Sequence, residues 1–211
     1  MKMRYMYSTM LLASICSCLP AQADTNVALG ASVSYSGSGF GNSNGWCCGN
    51  FQPGSIVNGT PQADGTQWNA GTAFWSGGTP DTTDVLTITL AQTAVIDSIQ
   101  LQADDNDTYT VSYRNGSSWV PLFTYGPYGS WGLITRPVYS LLAPITTNAF
   151  EITAGTGRVG DGDYAVGQFW ANGSRISAVP EPRTYMMLLA GLGFIGFIAA
   201  RQKKNGTMTF A

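Results

Sequence analysis

Tyr109-Thr110-Val111-Ser112-Tyr113-Arg114-Asn115-Gly116-Ser117-Ser118-Trp119-Val120-Pro121-Leu122-Phe123-Thr124-Tyr125 is the stretch that decides the fold class. Tyr109, Val111 and Tyr113 alternate with Thr110, Ser112 and Arg114, the two-residue period of a strand with one buried and one wet face. Asn115-Gly116 separates this run from Trp119–Tyr125. Such a pair between alternating runs marks a tight hairpin, because a primed turn needs positive φ at its centre.

The same texture extends in both directions. Upstream, Leu86, Ile88 and Leu90 alternate with Val85, Thr87 and Thr89, and Ile99 and Leu101 alternate with Gln100 and Gln102. Asn26–Ser34 reads as an opening strand and edge segment. Downstream, Val138–Leu142, Ala149–Ala154 and Tyr164–Ala171 read as further strands, with glycine, asparagine, aspartate and proline between the runs. No helical period appears before Arg183. The expectation is an all-β domain of about eight antiparallel strands in two sheets packed as a jelly-roll sandwich.

Both ends of the chain carry other signals. Lys2 and Arg4 precede an apolar run from Met10 to Leu19, and Ala21-Gln22-Ala23 supplies the small residues of a cleavage site, so residues 1–23 read as a signal peptide. A cut before a lipidated Cys18, in Ile15-Cys16-Ser17-Cys18, is the alternative. Near the other end, Val179-Pro180-Glu181-Pro182 leads into Tyr185–Ala200, sixteen residues without a charge, and then Arg201-Gln202-Lys203-Lys204. As a helix those residues rise ~24 Å, short of a ~30 Å hydrocarbon core, so Thr184 and a snorkelling Arg201 must extend the span. Read as a membrane helix with a cytoplasmic basic tail at 201–211, it places everything before Val179 across the membrane. The domains are then 24–178 for the sandwich, 179–184 for motif and linker, and 185–200 for the helix.

Charge and composition narrow the chemistry. All twelve acidic residues fall between Asp24 and Glu181, where four arginines and no lysine offset them, and that stretch carries a net charge of −8. Nucleic acid is excluded as a partner, since phosphate binding needs a basic patch. A neutral or cationic polymer, or calcium, fits better. The chain has no histidine, which removes the commonest general base and most zinc sites and argues against an enzyme.

Three groups of residues are candidates for function. Trp46, with Phe40 and Phe51, and Tyr125, with Tyr128 and Trp131, lie in glycine-rich loops whose flat rings suit stacking on sugars, and Arg136 could donate paired hydrogen bonds to ring hydroxyls. The competing reading buries Tyr125 and Trp131 as core. Asp104-Asp105-Asn106-Asp107 and Asp161-Gly162-Asp163 lack the ligand spacing of a calcium loop; the first reads as a solvated turn between two strands and the second as a strand-to-strand turn. Cys47-Cys48 has three open outcomes: a vicinal disulfide, two free thiols or an intermolecular bridge. The first would stiffen the loop.

Two resemblances follow from these residues. Val179-Pro180-Glu181-Pro182, a single apolar helix and a basic end, in that order, resemble the PEP-CTERM sorting signal of Gram-negative bacteria that make exopolysaccharide. The resemblance implies recognition by a membrane-embedded exosortase and passage to the cell surface or matrix. Arg183 departs from the small residue usual there. Second, Asn26-Val27-Ala28-Leu29-Gly30-Ala31, Val57-Asn58-Gly59, Gly65-Thr66-Gln67-Trp68, Trp75, Ile96-Asp97-Ser98-Ile99 and Gly162-Asp163-Tyr164-Ala165-Val166 look like a discoidin domain, also called the coagulation-factor type C domain. That family implies a galactose-binding-like jelly roll whose end loops bind sugars, lipid head groups or proteins. It also implies a structural calcium, whose ligands here would be Asn58, Thr66 and Gln168. Amides stand there in place of two carboxylates, which weakens such a site. The expected function is an exported, non-catalytic module that binds polysaccharide. The alternatives are a structural or adhesive matrix protein and, further off, a glycoside hydrolase.

Overall fold

The computed structural model describes residues 25–77, 81, 83–129, 131–154, 161–176 and 182–205. The signal peptide 1–23 and Val179, Pro180 and Glu181 of the sorting motif lie outside them. The strands in chain order are β1 (Thr25–Asn26), β2 (Ser32–Ser36), β3 (Asn50–Phe51), β4 (Ala70–Ser76), β5 (Val85–Asp104), β6 (Tyr109–Asn115), β7 (Ser118–Tyr125), β8 (Leu133–Thr135), β9 (Tyr139–Ala154) and β10 (Asp163–Arg175). A 3₁₀ turn covers Pro53–Val57, and α1 spans Pro182–Asn205.

The decisive hairpin forms, with its turn displaced by one residue. Asn115 pairs with Ser118, so the central residues are Gly116 and Ser117, and only Gly116 has positive φ, at 61°. That is the pattern of a type II′ turn, which wants glycine first. Leu122 is the extra residue of a bulge, because Val111 faces Phe123 while Ser112 faces Pro121. Pro121 cannot donate to a ladder, and β7 lies at the end of the sheet where that costs least.

The sheet runs β3-β4-β10-β5-β9-β6-β7, with β1 on β10 and both β2 and β8 on β5. Apart from the two-residue parallel pair β3–β4, every described register is antiparallel. The expected all-β jelly roll is therefore correct, with ten strands among the described residues rather than about eight. The reason lies in two strands that the sequence divides and the fold does not. Val85–Leu90 and Ile99–Gln102 are one bent strand, β5, and Val138–Leu142 and Ala149–Ala154 are one strand, β9. Both bend where the β5–β9 register shifts, between Thr89 and Ala94 and again between Ile96 and Ser98. A bulge of this kind increases twist without ending the strand, and so the sheet curls over itself.

The alternating residues enclose the core. Leu86, Ile88, Ile96, Ile99 and Leu101 of β5 are buried with Val111, Phe150, Ile152, Val166 and Phe169. Trp75 stacks on Tyr164 at 5.5 Å and meets Tyr109 edge-on at 6.2 Å, while the Tyr109 hydroxyl accepts a hydrogen bond from the Ala165 amide. Gln102, expected on the wet face, is buried. Its amide joins the backbone of Gln62 at both ends, accepting from Gln62 N at 3.0 Å and donating to Gln62 O at 2.8 Å.

The chain divides into two compact units after Ser174. In the second, α1 places Arg201 near its C-terminus, where the helix dipole favours a cation. The expected membrane span at 185–200 is helical, but among the described residues no helix is long and apolar enough to cross a membrane. The uncharged run is short for the hydrocarbon thickness. Met186, Leu188, Leu189, Leu192, Phe194 and Phe197 are exposed along it.

Replacing Trp75 by alanine is expected to lower unfolding free energy in urea by about 3–5 kcal/mol, the cost of emptying a fully buried aromatic site. Leu142→Ala, at a fully exposed position of β9, should change it by less than about 0.5 kcal/mol.

Candidate functional site

Five segments meet at one end of the sandwich. The loop between β2 and β3 brings Trp46, the loop before β4 brings Gln67 and Trp68, and the end of β5 runs into Asp104, Asp105 and Asn106. The loop before β8 brings Trp131 and Gly132, and the turn before β10 brings Asp161. Together they line a cleft of about 160 Å³. This is below the ~300–1,000 Å³ of sites for drug-sized ligands, and suits a single ring at the surface.

The aromatic walls are held from behind. Trp68 is buried and edge-on to Phe74 at 5.6 Å. Trp46 and Trp131 are 51% and 63% exposed, and the Trp46 side chain hydrogen-bonds the buried Asp163 carboxylate, which also accepts from the Ser76 hydroxyl. Glycine at position 132 is a steric requirement. Its φ is +71°, and a Cβ there would lie 2.3 Å from the Thr66 carbonyl oxygen. That carbonyl in turn accepts from the Leu133 amide at 2.8 Å.

Asp104, Asp105 and Asp161 are the carboxylates among the lining residues. Asp104, Asp105 and Asp107 are buried, which corrects their reading as a solvated turn. The Asn106 amide, with its nitrogen toward them, donates to Asp104 Oδ2 at 3.1 Å and Asp107 Oδ2 at 3.0 Å. Burial pushes the Asp104 carboxyl up to about 7, with the charge of Asp105 adding to it. Burial likewise pushes Asp107 up to about 8, with the charge of Asp104 adding.

Arg136 does not present its guanidinium to a ligand. It is fully buried, and its Nη atoms donate to the carbonyls of Gly126 at 2.9 Å, Asp104 at 2.5 Å and Asp105 at 3.3 Å. Burial lowers its pKa. Tyr128 lies over it, 4.7 Å from Cζ to ring centroid. The expected trio of Tyr125, Tyr128 and Trp131 is divided. Tyr125 is 4% exposed, donates to the Ile99 carbonyl and packs edge-on against Phe123. Tyr128 borders a separate apolar notch with Tyr139 and Val138, leaving Trp131 at the cleft. Phe40 and Phe51 also turn inward, against Trp75 and Phe74. Trp68, Asp105 and Asp161 line the cleft without having been singled out for binding; the signal for Asp105 was three carboxylates within four residues, and Trp68 had none beyond its ring.

Cys47 and Cys48 are free and exposed, with Sγ atoms 2.8 Å apart. The vicinal disulfide is therefore not formed here. Cys48 has φ +74° and borders a polar notch of about 440 Å³ lined by Asn50, Gln52, Asn58, Thr60 and Gln62.

The residues expected to hold calcium do not fit it. Asn58 Oδ1 accepts from the Thr60 amide at 2.7 Å, and the Thr66 hydroxyl donates to the Ala63 carbonyl at 2.6 Å. Gln168 is fully buried, with both amide atoms lacking a partner among the described residues. In the notch beside Asn58, the Gln62 amide nitrogen donates to the Ala70 and Gly71 carbonyls, spending them on a neutral donor. Calcium is held mainly by carboxylates, and this set offers none; the one unengaged side-chain oxygen of the three is the neutral amide carbonyl of Gln168. Among the described residues, no group of three or more His, Cys, Asp or Glu could hold a metal.

Comparison with known proteins gives a sorting motif and a set of structural likenesses. Residues 178–204 match the PEP-CTERM protein-sorting motif. No curated protein matches the chain. Among solved structures, the chain is similar to chitosan-binding module 1 of a chitosanase/glucanase from Paenibacillus sp. IK-5, at 14% identity and TM-score 0.46, covering 70% of this chain and 98% of that one. It is similar to the family 32 carbohydrate-binding module of C. perfringens in complex with galactose, at 14% identity and TM-score 0.47, covering 71% and 98%. A third likeness is the C-terminal domain of a Bacteroides fragilis chitobiase, at 12% identity and TM-score 0.48, covering 73% and 99%.

Two outcomes are expected. An unfolded aspartate titrates near ~3.9, so with Asp104 and Asp107 raised the folded chain holds more protons between about pH 4 and 8, and stability must fall as pH rises through that window. Asp84, pushed up to about 6, acts in the same sense over the lower part of the window, so Asp107→Asn should reduce the slope across the whole window and leave little of it above about pH 7, as read by denaturation at pH 4 to 8. An unchanged slope would contradict the assignment. Separately, the melting temperature should be the same in calcium and in EDTA; a calcium-dependent rise would restore the metal site.

Proposed function

We propose that this chain is an exported, non-catalytic carbohydrate-binding protein, delivered to an exosortase-type enzyme by its PEP-CTERM motif and sorted to the cell surface or exopolysaccharide matrix. The observation that carries the binding reading is the cleft itself. Exposed indole faces of Trp46 and Trp131 stand over polar groups at the loop end of a rigid sandwich, and a sugar offers both an apolar face to stack and hydroxyls to bond. The export reading rests on the motif at 178–204. In it, the exposed apolar side chains of α1 meet the inner membrane while the sandwich faces the periplasm, and the sorting enzyme then releases the protein.

Binding is tested by affinity electrophoresis of the full-length chain in gels containing the host's exopolysaccharide. Trp131→Ala should weaken retention about three- to tenfold, the ~0.5–1.5 kcal/mol of one aromatic contact. A competing monosaccharide should release the wild type. Binding to no glycan, with capture of a surface protein instead, would favour the adhesive alternative, and turnover of a chromogenic glycoside lost in Asp104→Asn would favour a hydrolase. Changing Pro180, Glu181 and Pro182 to alanine should leave full-length protein in the membrane fraction; undiminished surface release would refute the sorting role.

A further inference from the structure

The polar side of the cleft is more specific than a general sugar site requires. Asp105 is 4% exposed, and its Oδ2 has no hydrogen-bond partner among the described residues although the residue lines the cleft. An unpaired buried carboxylate oxygen is costly and calls for a donor. Asp104 and Asp161 line the same cleft, and no cation among the described residues lines it with them. The charged nitrogens of Arg136 donate to the backbone carbonyls of Gly126, Asp104 and Asp105, and Arg114 is spent on the Gly116 carbonyl at the hairpin turn. The cleft therefore carries surplus negative charge; the Asp104 carboxyl is pushed up first by burial and then by the charges of Asp105 and Asp161 beside it.

We propose that the ligand of this cleft is a cationic amino sugar, its ammonium group taken by Asp105 beneath the faces of Trp46 and Trp131. This rests on the carbohydrate-binding reading and names the sugar class. A hydroxyl donates one hydrogen bond and leaves the charge; an ammonium donates three and neutralises it. Both exposed indoles add to the preference, since the face of tryptophan attracts a cation as well as the apolar face of a ring. Uronic acids and sulfated sugars are repelled. The net charge of −8 between Asp24 and Glu181, with no lysine, extends the same preference to a cationic chain approaching from solution and makes capture sensitive to salt.

The test is a calorimetric titration of the full-length chain in detergent at pH 6 with three probes: a glucosamine trisaccharide, its fully N-acetylated counterpart and a glucose trisaccharide. The free-amine sugar should bind at least about tenfold tighter than the other two, as a charge-assisted hydrogen bond and a cation–π contact supply. High salt should reduce that ratio, and Asp105→Asn should bring it close to one. Equal binding of all three, or tighter binding of the N-acetylated probe, overturns the charge assignment and leaves the carbohydrate-binding reading standing. If Asp105→Asn fails to fold, the wild-type ratio alone decides the question. Binding of none of the three, with retention by no polysaccharide, overturns both.

Discussion

The loop end of the sandwich depends on one buried cation. Arg136 follows β8 directly and reaches back under two loops that precede it in the chain, bonding the Gly126 carbonyl on one side and those of Asp104 and Asp105 on the other. These bonds fix main chain rather than side chain and leave Asp105 Oδ2 without a partner among the described residues. A planar fork with fixed donors does this in a way that a lysine point charge does not. The cation also lies among the acidic residues it organises, which offsets part of the cost of burying them.

What brings those loops together is the curvature of the sheet. β5 and β9 each run through both halves of the sandwich, and their shared register shifts let them bend without ending. β5 delivers Asp104 at its tip and pairs there with β8, through Asp104 and Leu133. The Gly132 carbonyl accepts from the Asp105 amide, and the Leu133 amide donates to Thr66. Trp68 and Trp131 thus stand on segments joined to each other and to the tip of β5 by main-chain bonds. Rigid support of this kind suits a site that binds without rearranging.

The residues expected to hold calcium are engaged in a related way. The Ala70 and Gly71 carbonyls beside Asn58 accept from the Gln62 amide, and the side chains of Asn58 and Thr66 close short local turns. Amides do internally what a metal would otherwise do. Asp104, Asp105 and Asp161 are instead gathered at the cleft, and Asp81 and Asp84 form a separate pair.

The two-residue period of Val85–Leu90 and Tyr109–Tyr113 was enough to establish an all-β sandwich and its buried faces, because alternation is a local property of the backbone. The order Pro-Glu-Pro, apolar run, basic end was likewise legible, since a sorting signal is read along the chain. Local pattern did not reveal that β5 and β9 continue through their bends, because a bulge needs no turn residue. It also could not separate Trp131, which stays exposed, from Tyr125, which packs on Phe123, or tell a solvated Asp104-Asp105-Asn106-Asp107 from a buried one. The burial of the acidic run depends on a residue far along the chain, Arg136, at separations of 32 and 31 residues from Asp104 and Asp105. Burial and charge are set by what the folded chain brings alongside, and only the tertiary structure decides that.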